Sequence, residues 1–201
     1  MSGARPERLM PARPGPTFTR FFIRYVRRLM RRRFHAVRLA EGGDRLLREA
    51  GESDRQLMVL LNHASWWDPL IGVLVGSTIT PLRPALAPID REQLERFGFF
   101  RRIGLFGIDP DDPESLVAMR DYVLEAFARD PRTSLWLTPQ GRFTDVRSPI
   151  RIRPGAASIA ASSAYGGISC AHVEPSEVPP GAGRSEEHTS ELQSHSDLVC
   201  R

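Results

Sequence analysis

An α/β domain, built on a mixed, mostly parallel sheet flanked by helices, is what this sequence predicts. Three observations predict it. Short apolar runs at Gln56–Leu61, Leu105–Ile108, Thr133–Leu137 and Ile168–Val173 alternate with stretches of helical periodicity. Those runs are too brief for helices and apolar without interruption, as strands buried on both faces are. The chain has 201 residues, 41% hydrophobic and 26% charged, enough to close one core.

The elements follow in order. Residues 1–16 are rich in Pro, Gly and Arg and read as a disordered arm. Over residues 17–38, Phe18, Phe21, Phe22, Tyr25 and Leu29 recur at helical spacing, with Arg20, Arg24, Arg27, Arg28 and Arg31 opposite. This is a basic amphipathic helix. It suits either an interfacial anchor on anionic lipid or a helix packed on its own domain with a solvated basic face. Residues 41–56 read as helix then loop, Gln56–Leu61 as a strand, and 62–67 as a loop. Asp68-Pro69 reads as N-cap and first position of a helix running to about Thr78. Leu82–Ala87 is a strand weakened by Pro84, residues 90–100 are helical, and Leu105–Ile108 is a short strand. Asp112-Pro113-Glu114 opens a helix whose apolar face is Leu116, Met119, Val123, Ala126 and Phe127. Thr133–Leu137, a small-residue helix over 154–164, and Ile168–Val173 complete the pattern.

Composition excludes several classes of function. All 28 basic residues are Arg, so lysine chemistry and a Walker A loop are absent. Two cysteines cannot build a disulfide scaffold. No apolar run reaches the roughly 18 residues of a spanning helix, and no secretory signal follows the basic start. Residues 1–38 hold eleven Arg and one acid, Glu7, but no nucleic-acid motif accompanies them, so no nucleic-acid partner is expected. Residues 184–194, RSEEHTSELQS, resemble a translated sequencing-library adapter. The tail 184–201 is therefore expected to be non-native, the domain proper to occupy 39–183, and the natural sequence to be truncated at or before Gly183. Residues 1–183 carry 26 Arg against 20 acids, a charge of +6.

The residues with chemistry are Asn62-His63-Ala64-Ser65-Trp66-Trp67-Asp68-Pro69. His63 and Asp68 lie five apart, which in one helix would separate them by about 140°. A strand end, a loop and a helix start can fold that spacing back, so that Asp68 accepts from one ring nitrogen and the other is left as a base. Cys170 and His172, two apart on a strand, are a second and weaker pair, and no metal-ligand cluster stands out.

The segment NHASWWDPL resembles the NHx(4)D block of the glycerolipid acyltransferases, the lysophosphatidate-type (1-acylglycerol-3-phosphate) acyltransferase family. Three further blocks follow in that family's order. Ile103–Asp109, including Gly104, resembles GxxFIDR; Leu137–Gly141 resembles FPEGTR; Ile168–Val173 stands where a VPV-type strand belongs. The resemblance spans roughly residues 55–175. It implies transfer of a fatty acyl group from a coenzyme A or acyl-carrier-protein thioester to a lipid hydroxyl, with no other cofactor and no covalent enzyme intermediate. His63 would be the base and Asp68 its partner. Asn62, Ser65, Gly104, Thr138, Pro139, Gln140, Gly141 and Arg142 would line the substrate. It also implies a peripheral enzyme on the cytoplasmic face of a membrane.

Three positions depart from the family pattern. Gln140 stands where the family has Glu, Phe143 and Pro110 where it has Arg. Because those arginines are associated with the acceptor phosphate, the chain resembles a divergent member. Its acceptor is then either altered or gripped by Arg142, Arg147, Arg151 and Arg153. The competing expectation is a lipid-binding protein of the same fold without activity.

Overall fold

The fold is described from a computed structural model, for residues 8–39, 42–80, 83–143, 145, 149, 151–162, 169–173 and 196–198. In chain order the elements are α1 (Pro16–Arg33), β1 (Val37–Leu39), α2 (Gly43–Glu52), β2 (Leu57–Leu61), α3 (Asp68–Ile79), β3 (Ala85–Asp90), α4 (Arg91–Arg96), a 3-10 helix (Gly98–Ile103), β4 (Leu105–Ile108), α5 (Pro113–Arg129), β5 (Ser134–Leu137), α6 (Gly155–Ser162), β6 (Ser169–Val173) and β7 (Ser196–Leu198).

Five strands form one sheet in the order β4-β3-β5-β2-β6. Every pairing in it is parallel, so the expected mixture is absent from this sheet among the described residues. Side chains alternate between its faces with the period of two that a strand imposes. Met58, Leu135 and Leu137 join Phe106, Met119, Val123, Phe127 and Ile159 beneath α5 and α6. Leu57, Val59 and Leu61 point the other way, to Trp136 and Ala50, on the side of α2. Both faces are covered, which is why the strands read as unbroken apolar runs.

Local chemistry explains most boundaries. Asp112 accepts from the N–H groups of Glu114 and Ser115, capping α5 as expected. The same device starts α4, where Asp90 accepts from Glu92 and Gln93. β3 begins after Pro84 and runs on through Pro88 to Asp90. Its pairing with β5 covers only Ala85 and Leu86, so Pro88, which lacks a donor, lies where β3 has only β4 beside it.

Two expectations need correction. The arm is not disordered over residues 8–15. Met10 and Gly107 exchange backbone hydrogen bonds of 2.9 and 2.8 Å, and Ala12 N–H donates to the Tyr122 hydroxyl at 3.2 Å. The arm thereby covers the open edge of β4, the usual remedy for an unpaired strand. The basic helix stops at Arg33, and Val37–Leu39 is strand, not helix. Its buried stripe is Phe22, Val26 and Met30, packed on Leu74 of α3, whereas Phe21 and Tyr25 are exposed. Burying those three side chains contributes about 1.5–3 kcal/mol each.

Three residues of the tail, Ser196–Leu198, pair antiparallel with Val37–Leu39. That ladder is made between backbones and asks little of the side chains. Among the described residues no helix is long and apolar enough to cross a membrane.

Candidate active site

β2 and β5 are neighbours in the sheet, with Leu60 opposite Leu137. The loops that follow them therefore leave from the same carboxyl edge, where open parallel sheets place their sites. One loop carries Asn62 to Trp67, the other Thr138 to Phe143.

The first loop folds back on itself as the spacing requires. Asp68 is not an N-cap; it is the first residue of α3, and Trp67 precedes it as the cap. Its carboxylate turns toward the loop instead. Oδ2 accepts from Ala64 N–H at 2.8 Å, from Ser65 N–H at 2.8 Å, and from His63 Nδ1 at 3.1 Å. The Asp68 side chain is 1% exposed and the imidazole 17%. An acceptor on that side fixes the ring's hydrogen on Nδ1 and leaves the lone pair on Nε2. Asp68 Oδ1 and Asn62 Oδ1 are buried without a hydrogen-bond partner, a cost of about 1–3 kcal/mol each. Ser65 serves the turn itself, its hydroxyl accepting from Trp67 N–H at 3.2 Å.

The second loop locks onto the first through Gln140. Its Oε1 accepts from the His63 backbone N–H at 2.6 Å, and the residue is buried. The contact needs only an acceptor oxygen, which the Gln140 amide supplies. Gly141 N–H closes the turn on the Thr138 carbonyl at 2.9 Å. Gly141 has φ +67°, where a side chain would be strained and its Cβ would lie 3.0 Å from Arg153. Arg153 braces the turn: its backbone N–H donates to the Pro139 carbonyl at 2.9 Å. Its guanidinium donates to the Pro110 carbonyl at 2.6 Å and to Asp111 Oδ1 at 3.3 Å. Arg142 and Arg151 are exposed; Arg147 lies outside the described residues.

One expected site residue is elsewhere. Gly104 precedes β4 and is level in the ladder with Leu86, Leu135 and Met58. That is five residues before His63, about 16 Å along the strands, and three strands away. Its φ of +100° and the 2.1 Å separation of a hypothetical Cβ from the Ala85 carbonyl give the reason for glycine: the backbones of β3 and the entry to β4 touch there. Packing against β3 thus accounts for glycine at this position. Cys170 and His172 stand opposite Met58 and Leu60 in β6.

Sequence reasoning missed Phe143 as a partner of His63. Its ring stacks on His63 with centroids 4.0 Å apart and planes 29° apart, and Trp66 leans on it at 4.9 Å. A stacked pair 80 positions apart in sequence needs the β2–β5 register to be foreseen, and nothing local signals it. A scan against protein-family models finds no match for the chain, and a search of curated proteins finds none either.

Proposed function

We propose that this protein is an O-acyltransferase of the glycerolipid type, moving a fatty acyl group from a thioester to a lipid hydroxyl. The observation that carries the reading is the His63–Asp68 pair: an imidazole oriented through Nδ1 by a buried carboxylate, at a sheet's carboxyl edge. In the reaction Nε2 takes the hydroxyl proton as the alcohol oxygen attacks the thioester carbonyl. The new C–O bond forms, the C–S bond breaks, and the proton passes from His63 to the leaving thiolate. Asp68 holds the tautomer and supports the imidazolium. Acyl-coenzyme A or acyl carrier protein is the donor.

The enzyme works at the surface of a membrane. α1 supports this with Phe21 and Tyr25 exposed on the helix that also carries the cluster Arg24, Arg27, Arg28, Arg31 and Arg32. Exposed aromatics with clustered guanidinium groups are suited to a headgroup boundary rich in anionic lipid. The same face favours a second reading, a lipid binder without turnover. Acyl transfer to a lipid alcohol by the purified chain, lost in His63→Ala while flotation with anionic vesicles persists, identifies the enzyme. Flotation without transfer by either protein identifies the binder.

A further inference from the structure

The two adjacent tryptophans of the first loop have different fates. Trp67 packs edge-on against Phe34, centroids 5.0 Å apart, and joins the cluster between α1 and α3. Trp66 stays outside, 71% exposed, and its neighbour Phe143 is 44% exposed. Leaving two aromatic rings in water forgoes about 25 cal/mol for every Å² that burial would remove. What sets this pair apart from the other exposed apolar side chains is its contact with His63, which places an apolar surface beside the candidate base.

On the acyl-transfer reading, we infer that Trp66 and Phe143 form the wall against which the acceptor lies, and that the acceptor carries an uncharged, apolar segment beside its reacting hydroxyl, not a phosphate. Ring faces carry the negative lobe of the quadrupole, so an anion seated on them loses water and meets repulsion. A hydrocarbon or glycerol ester segment loses only unfavourable hydration. Arg153, one of the possible phosphate grips, already donates to the Pro110 carbonyl and Asp111. The Nε2 lone pair lies in the ring plane, so Phe143, stacked on one face of the imidazole, leaves that approach open while opposing rotation of the ring away from Asp68. Phe143 is on this account a specificity-determining residue, and Trp66 extends its wall.

Two acceptors that differ only in the phosphate test the inference: a monoacylglycerol and the lysophosphatidate of the same acyl chain, presented to the purified 201-residue chain. The wild type is expected to favour the monoacylglycerol by about tenfold or more in kcat/KM. Phe143→Arg is expected to shift that ratio toward lysophosphatidate by about tenfold, mainly through KM, while Phe143→Leu keeps the wild-type preference. Trp66→Ala, at an exposed position, is expected to raise KM for the monoacylglycerol with the melting temperature unchanged. A wild-type preference for lysophosphatidate, or a ratio unmoved by Phe143→Arg, overturns the inference and leaves the acyl-transfer reading standing. No transfer to either acceptor above the His63→Ala level removes that reading, and the inference with it.

Discussion

Two buried polar networks occupy opposite ends of the same parallel strands. At the amino ends, Arg83 sits just before β3 and donates to the carbonyls of Gly51, Arg132, Ser53 and Arg55, joining the chain before β2 to the chain before β5. At the carboxyl ends, Asp68, His63 and Gln140 join the loops after the same two strands. The first network is closed: each guanidinium nitrogen is used, and the residue is 7% exposed. Burial pushes its pKa below the ordinary guanidinium value, with Arg132 adding to the shift, yet an arginine still keeps its charge at neutral pH. The second network is open. It leaves one amide oxygen and one carboxylate oxygen buried and unpaired among the described residues, and two aromatic rings largely in solvent. The contrast is between the two central side chains: the Arg83 guanidinium is fully used, although Arg132 Nε beside it is buried without a partner among the described residues, whereas Asp68 keeps one carboxylate oxygen unpaired.

Substitutions at the two ends sharpen this contrast. The largest expected effect is on turnover. His63→Ala removes the base and lowers kcat by about 10²–10⁴-fold, with little change in melting temperature, since the ring donates only one of the three hydrogen bonds to Asp68. Calorimetry and steady-state kinetics on one preparation check both halves. Arg83→Leu behaves in the opposite sense. It strips four carbonyls of their donor and costs about 3 kcal/mol of stability, while kcat per folded molecule stays at the wild-type level. Because the guanidinium remains charged through the neutral range, urea unfolding at about pH 6 and about pH 8 should give the same loss.

Gly104→Ala comes next. A Cβ against the Ala85 carbonyl and a positive φ cost about 2 kcal/mol; KM for donor and acceptor is unaffected, as the position lies far from His63. A raised KM with normal stability would restore it to the substrate site. Gln140→Ala is the smallest, about 1 kcal/mol from the orphaned His63 N–H. Gln140→Glu keeps an acceptor oxygen and is expected to cost less, as chemical denaturation would show.

What was legible in the sequence was local. Asp112-Pro113 announced α5 because an N-cap and a first-turn proline act within three residues. Leu105–Ile108 was readable as a strand to the residue, because a buried parallel strand is apolar on both faces. The His63–Asp68 contact was open to the sequence as one outcome of a bend between strand end and helix start, and the loop makes it. What escaped was non-local. The arm at residues 8–15 resembles any Pro- and Arg-rich linker, and only the vacant edge of β4 gives it a place. Asp68 looked like a cap because Asp before Pro usually is one; two upstream amides took its side chain instead. Gly104 was assigned to the substrate by motif order, yet its requirement for glycine comes from β3. The partnership of Gln140 and Phe143 with His63 depends on the β2–β5 register, which no short window contains.

Acyl transfer requires His63 to offer Nε2 as a base while Asp68 holds Nδ1–H. Nitrogen-15 NMR of the ring, on protein labelled at histidine and held at about pH 8.5, where an ordinary imidazole is neutral, tests it directly, with His63→Ala identifying the signals. A protonated, pyrrole-type Nδ1 with an unprotonated, pyridine-type Nε2 is the pattern expected. The reverse pattern, or fast averaging between the two tautomers, would contradict it.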